Sequence, residues 1–268
     1  MIVSASYSDD IPAYYGRWFM RRLDAGFCRT FDSNGLQFHR VELTRDAVDG
    51  FVFWTKDATP FLDALKEIYR RDFAFVVQYS IGTDSDNAVR SMHALEAAYG
   101  PRCAVWRYAP AGAATLPQKT QLHNFAAIAN KLRGATDEVT VSTGLPGVGA
   151  IDGDTRAGIK EMAEIARDCG MRMTLCSQPD NLVPASSPAR CIDARRLSDL
   201  AHRPIDAMTH PKWSGCLCAA AYDIGTPMAV DCVLASSAAR RDDHNPDGEF
   251  LVPPPALFEM RDGTDLPF

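Results

Sequence analysis

Eight cysteines hold most of the chemistry that this 268-residue chain could perform. Two form the pair Cys216-Leu217-Cys218 beside a glycine, while Cys176, Cys191 and Cys232 end an apolar run or lie in irregular stretches. Loops let distant thiolates converge, and a C-x-C pair with two further cysteines supplies four ligands. That number suits a tetrahedral zinc ion or a 4Fe-4S iron–sulfur cluster. The spacing follows neither a zinc ribbon nor a ferredoxin pattern, so by itself it leaves zinc, a cluster and plain thiols open. Cys28, Cys103 and Cys169 sit in helical or strand contexts and read as separate core or surface residues. His210, six residues before Cys216, and His202 offer imidazoles for zinc, although a loop histidine is more often solvated. The run Gly144-Leu145-Pro146-Gly147-Val148-Gly149 could cradle an anion on its backbone amides or serve only as a connection.

These residues need a frame. Apolar runs at 1–5, 50–54, 73–79, 104–108, 138–142 and 171–175 predict six strands. Helical periodicity at 11–23, 59–70, 88–98, 118–132 and 155–169 predicts a helix behind each of the first five. Pro12 suits a first helical turn capped by Asp9 or Asp10, and Gly100 and Gly170 suit helix ends. Strands that alternate with helices imply a parallel sheet, because parallel neighbours need crossovers. The expected fold is α/β, a parallel TIM-like (β/α) barrel of six to eight units, closed or partial. A doubly wound open sheet is the alternative, and the lack of a glycine-rich fingerprint after the first strand weighs against it.

Beyond residue 176 the pattern changes. Helical periodicity persists at 194–201, but proline, serine and glycine dominate elsewhere, and 240–268 with Pro253-Pro254-Pro255 reads as irregular. The chain is thus expected to be one domain, 1–268, with βα repeats over 1–176 and a cysteine-rich segment, 177–268, covering one end.

Functional residues of parallel barrels gather at the C-terminal ends of the strands. This rule nominates Ser6 and Asp10, Trp54 and Lys56, Gln78 and Ser80, Arg107, Ser142 and Thr143, and Cys176 and Gln178. Lys56 and Arg107 stand out, because a cation among aromatics is costly to bury without a partner.

A net charge of −6 argues against binding nucleic acid through phosphate contacts. No window approaches the length of a membrane span, and the opening MIVSASYSDD lacks the basic and apolar regions of a secretory leader. A cytoplasmic protein is therefore expected, in a compartment that keeps thiols reduced. With 46% hydrophobic residues the chain can build its core without disulfides.

The stretches MIVSASYSDDIPAYYGRWFMRRLDAG, VDGFVFWTKDATPFLDAL, AVWRYAP, LCSQPDNL, RCIDARRL and GCLCAAAYDIG, in this order, resemble the bacterial family domain of unknown function 1848. Its members look like relatives of radical S-adenosylmethionine enzymes, with a barrel and a cysteine-rich C-terminal segment. The resemblance places cysteines of the family on Cys176, Cys191, Cys216 and Cys218, and matches Asp10, Trp54, Lys56, Trp106 and Arg107. After Asp223-Ile224-Gly225 the family has a three-cysteine motif, whereas this chain reads TPMAVDCVLASSA and keeps only Cys232. Ala109 replaces an aspartate, and Tyr7-Ser8 replaces basic residues. A radical cluster needs three cysteines and one open iron, so the departure argues against radical chemistry at that second motif.

Two readings result. The favoured one is an enzyme with an iron–sulfur cluster on Cys176, Cys191, Cys216 and Cys218, with Cys232 as a substitute ligand and S-adenosylmethionine as a cofactor if one iron is open. Lys56, Arg107 and Asp10 would be catalytic, and Trp54, Gln78, Trp106 and Ser142 would bind a small anionic substrate such as a carboxylate or phosphate. For Asp10, helix capping is an equal reading. The other is a non-catalytic descendant of the family, stabilised by a metal such as zinc, that binds a protein partner or a product.

Overall fold

The structure, a computed structural model, describes residues 1–7, 9–31, 38–82, 86–108, 118–142, 153–176, 186–209, 217–225 and 246–251. In chain order the elements begin with β1 (Ile2–Ala5), a π-helical turn (Ile11–Tyr15), α1 (Gly16–Ala25), β2 (Phe27–Phe31), β3 (Phe38–Glu42) and β4 (Gly50–Thr55). A 3₁₀ turn (Thr59–Phe61) leads into α2 (Leu62–Arg70), followed by β5 (Ala74–Ser80), α3 (Asp86–Tyr99), β6 (Ala104–Tyr108), α4 (Gln118–Lys131) and β7 (Glu138–Val141). The remainder is α5 (Gly153–Asp168), β8 (Arg172–Leu175), β9 (Ser187–Pro188), α6 (Ala194–Ala201) and β10 (Tyr222–Asp223).

Runs such as Gly50–Thr55 are buried along their whole length, as expected for strands covered on both faces. They join an eight-stranded sheet in the order β10-β1-β4-β5-β6-β7-β8-β9, and every pairing is parallel. From β1 to β9 the order follows the chain without reversal. Residues of α1 to α5 share one continuous core with Val3, Ala5, Phe51, Phe53, Phe75, Val77, Trp106, Val139 and Met173. All five crossover helices therefore pack on one face. A doubly wound sheet reverses its strand order and takes helices on both faces, so that alternative is set aside. Among the described residues β9 and β10 do not pair, so the architecture is a parallel, singly wound sheet whose closure into a barrel is not made by these strands.

The opposite, inner face has its own smaller core. Ile2, Val52, Trp54, Ala74, Val76 and Val105 pack there with Ile192, Leu197 and Ile205 from α6 and its flanks. Asp193 caps α6 by accepting from the Arg195 and Arg196 backbone N–H groups. Gly50 lets this helix approach, since a Cβ there would stand 2.8 Å from Leu197 Cδ2 and 3.1 Å from the Ala74 carbonyl oxygen. Arg196, 1% exposed, donates to Asp137 and Glu138 at 2.8 Å each and to the Arg102 carbonyl at 2.8 Å. These bonds pin α6 beneath the N-terminal ends of β6 and β7.

The antiparallel pair β2–β3 was not anticipated by the apolar pattern. Its residues are half charged or polar, and Arg40 covers the Phe27 ring at 3.7 Å. The pair ties down later chain: Thr30 Oγ1 donates to the Asp223 carbonyl at 3.0 Å, and Arg29 N–H to the Glu249 carbonyl at 2.8 Å. Trp18 Nε1 donates to the Gly248 carbonyl at 2.8 Å, and Leu251 joins the outer core, so 246–251 lies against the helical side. Among the described residues no helix is long and apolar enough to cross a membrane.

Candidate functional site

Alternation along the strands gives the two faces of the sheet different chemistry. The outer core is apolar, whereas the inner face buries Ser4, Gln78, Arg107, Glu138, Thr140 and Thr174. Buried polar groups are costly unless hydrogen-bonded, and their run across β1 and β5 to β8 marks the inner face as the candidate working face. Register fixes their order: Trp54 lies beside Gln78, Gln78 beside Val105, and Arg107 beside Thr140, which lies beside Thr174. Thr140 and Thr174 bond each other at 2.9 Å, and Thr174 donates to Glu138 at 3.1 Å.

Arg107 is the centre of the face. It is 6% exposed, and its Nη1 donates to Cys191 Sγ at 2.8 Å. Its guanidinium carbon stands 5.0 Å from the Trp54 ring centroid, a cation–π contact. Burial opposes its charge, but the sulfurs of Cys191 and Cys176 face it and hold its pKa above the usual arginine value. Cys191 in turn is hydrogen-bonded with Cys176 and Cys218, and Arg107 adds charge and a further bond; against burial, these hold its thiol well below the ordinary range. A buried cation without a counter-ion costs several kcal/mol, of order 3–5. Here the groups that offset it are sulfurs.

Three of the cysteines singled out by sequence therefore meet. Cys176 follows β8, Cys191 precedes α6, and Cys218 precedes β10, so three separate segments converge at Cys191, and the thiols of Cys191 and Cys176 also face Arg107. Cys216 and Cys232 lie outside the described residues, as do Thr143, the 144–149 run, Gln178 and His210. Among the described residues no set of three or more His, Cys, Asp and Glu is arranged to hold a metal ion by itself. What the described residues do show is a hydrogen-bonded group of thiols at Cys191 beside the buried Arg107.

Gln78, 1% exposed, holds Cys191 from the other side, its Nε2 donating to the Cys191 carbonyl at 2.9 Å. That bond fixes the amide orientation, because a flip would set two acceptors together. Gln78 Oε1 is left buried and without a hydrogen-bond partner. Trp54 lies against Tyr7 with ring centroids 4.4 Å apart, and its Nε1 donates to Ser4 Oγ at 3.1 Å. Ser4 passes the contact to Asp223 Oδ2 at 2.8 Å, which also accepts from Tyr7 N at 2.9 Å. Ser4, Tyr7 and Asp223 position the tryptophan. Sequence reasoning missed this role, although Asp223 stands in the Asp223-Ile224-Gly225 stretch it had marked.

The other nominated residues divide. Asp10 is buried; one carboxylate oxygen accepts from Ala13 N at 3.0 Å and the other from Lys56 N at 2.9 Å. Burial raises its pKa despite these bonds, and the geometry is that of a cap that also ties down the end of β4. Lys56 is exposed, whereas Arg107 is buried. Trp106 precedes Arg107 and so faces the helices, stacked on Phe125 at 4.8 Å with Nε1 donating to the Ile81 carbonyl. Ser142 follows β7, half-buried. Cys28, Cys103 and Cys169 are free thiols buried in the outer core, as separate residues.

A cavity of about 330 Å³ opens at the opposite, N-terminal end of the sheet, lined by Tyr69, Phe73, Tyr99, Cys103, Leu200 and His202 among others. Its charged residues Arg70, Asp72 and Asp199 are already paired with Glu67, Arg45 and Arg102, so it offers less chemistry than the cysteine face.

Comparison with curated proteins finds no match. The sequence model of one family matches residues 2–145 and 150–233, which include Cys176, Cys191 and Cys218 as well as Arg107. The chain therefore belongs to the family described as Domain of unknown function (DUF1848).

Proposed function

We propose that this protein is an enzyme built on an iron–sulfur cluster held by Cys176, Cys191, Cys218 and Cys216, working on a small molecule at the inner face of the sheet. The observation that carries the reading is a buried arginine that donates to Cys191 Sγ at 2.8 Å, where Cys176 and Cys218 from separate segments also hydrogen-bond to that sulfur. Cys216 stands two residues before Cys218 in the sequence. When bound, such a cluster supplies electron transfer or, at an iron without a protein thiolate, a binding position for substrate or S-adenosylmethionine.

The chain's own residues account for the rest. Gln78 Oε1 offers an acceptor to an N–H or O–H group of the small molecule, and Trp54 forms an apolar wall beside it. Lys56, exposed beyond the end of β4, supplies a cation for an anionic substrate group. Asp10 shapes this rim through the Lys56 backbone and not as an acid or base.

Anaerobic purification followed by iron, zinc and acid-labile sulfide analysis, with a visible absorption spectrum, tests the reading. About four irons and four sulfides per chain, lost on joint replacement of Cys216 and Cys218 by alanine, are the expected result. Stoichiometric zinc without sulfide would replace the enzyme reading by a metal-stabilised binding protein. Absence of any metal would end both.

A further inference from the structure

We propose that the cavity at the N-terminal end of the sheet binds a small organic ammonium ion, a role independent of the cysteine face and of any metal there. Its volume of about 330 Å³ lies at the small end of the range for ligand pockets. Its wall is aromatic. Tyr69 and Tyr99 have ring centroids 5.0 Å apart, Tyr99 meets Phe75 edge-on at 5.1 Å, and Phe73 lies beside them. Tyr69 is 57% exposed, which leaves ring surface open at the mouth. Ring faces attract a cation, most strongly one that has shed its water. This wall already draws one: the Arg45 guanidinium carbon stands 5.9 Å from the Phe73 ring centroid.

The backbone adds charge of the same sign. Three helices end at the cavity: α2 with Tyr69 and Arg70, α3 with Tyr99, and α6 with Leu200, Ala201 and its C-cap His202. Helix C-termini carry the negative end of the backbone dipole, and none of the described lining residues belongs to a helix N-terminus. The carboxylates of Asp72 and Asp199 also reach the lining, each paired with an arginine outside it, Arg45 and Arg102. Arg70 is the lysine or arginine of the lining, and its guanidinium is turned onto Glu67 at 2.6 and 2.8 Å. A carboxylate or phosphate ligand would face three negative helix ends. An ammonium ion finds rings and helix ends that both favour it.

The test is isothermal titration of the full chain with choline and with its uncharged isostere, in which a quaternary carbon replaces the nitrogen. Choline is expected to bind about tenfold or more tightly than the isostere at fixed ionic strength. Tyr69→Ala should weaken choline binding about tenfold or more, whereas Tyr69→Phe, which keeps the ring face, should stay within about twofold of wild type. Because Tyr69 is exposed, the urea midpoint of both variants should match the wild type. Hydrogen exchange with choline present should show added protection in residues 69–75 and 199–203. Equal affinity for choline and the isostere in the wild type would overturn the proposal, whatever the variants do. So would wild-type affinity in Tyr69→Ala, protection confined to other segments, or no binding at millimolar choline.

Discussion

Cys103 and Cys28 behave unlike Cys191 because of what surrounds each thiol. Both are buried in the outer core, and burial pushes their thiols from 9.0 up to about 12. In the unfolded chain they ionise near 9.0, so their contribution to stability is complete below that pH and is lost as pH rises toward 12. Stability from urea unfolding should therefore be lower at about pH 10 than at about pH 8 in the wild type, by about 1.4 kcal/mol in total per thiol. A Cys103→Ala variant should lose stability less steeply over that interval. Asp10 gives a second residue-scale test. As a cap, its replacement by alanine should cost about 1–2 kcal/mol in urea unfolding. Asparagine, which keeps an acceptor oxygen, should recover most of that loss, and full loss of activity in a stably folded Asp10→Asn chain would restore an acid–base role.

α6 is the element that makes the inner face a site. It presents Leu197 to the sheet, and the chain that enters it places Cys191 over Arg107. Two local features secure it: the ion pairs from Arg196 to Asp137 and Glu138, and the missing side chain at Gly50. Arg196→Ala leaves Glu138 in the interior with only the half-exposed Arg172 as an ion-pair partner. The expected cost is about 3 kcal/mol or more, measured by denaturant unfolding. Gly50→Ala pushes Leu197 and α6 away from β4, at an expected cost of about 1–3 kcal/mol. Because the helix and Cys191 are neighbours in sequence, on the cluster reading both variants should also lower metal content, which iron analysis of the folded protein would report.

At the scale of the molecule, the sheet is singly wound and its far edges, β9 and β10, are not joined to each other among the described residues. Cys191 follows β9 and Cys218 precedes β10; Ala219 N–H already donates to the Ile192 carbonyl at 2.9 Å between these segments, and on the cluster reading a metal on both cysteines would strengthen that link. Metal removal by a chelator under anaerobic conditions should therefore loosen residues 187–205 and 217–225 selectively. Hydrogen exchange is the measurement: these segments should lose protection while β4, β5 and β6 keep theirs. Uniform loss across the sheet would mean that the metal supports the whole fold and not this link.

The sequence by itself determined the six central strands and the helices that follow them. Apolar runs located six strands, and helical periodicity placed α6 at the residues where it stands, because hydrophobic period is a local property that each segment carries alone. It also named the cysteines that meet, from their loop setting and the family likeness. Only the tertiary structure decided which face each side chain serves. Trp106 and Arg107 are adjacent in sequence, and strand alternation sends one to the helices and the other to the sulfurs. The β2–β3 pair escaped notice because its charged residues hide the strand pattern. Ser4 and Asp223 bond across 219 residues, and the thiols that offset Arg107 come from distant segments. Such contacts are set by sheet order and register, which no single stretch of sequence encodes, and through them a buried arginine on an ordinary strand became the partner of a cysteine cluster.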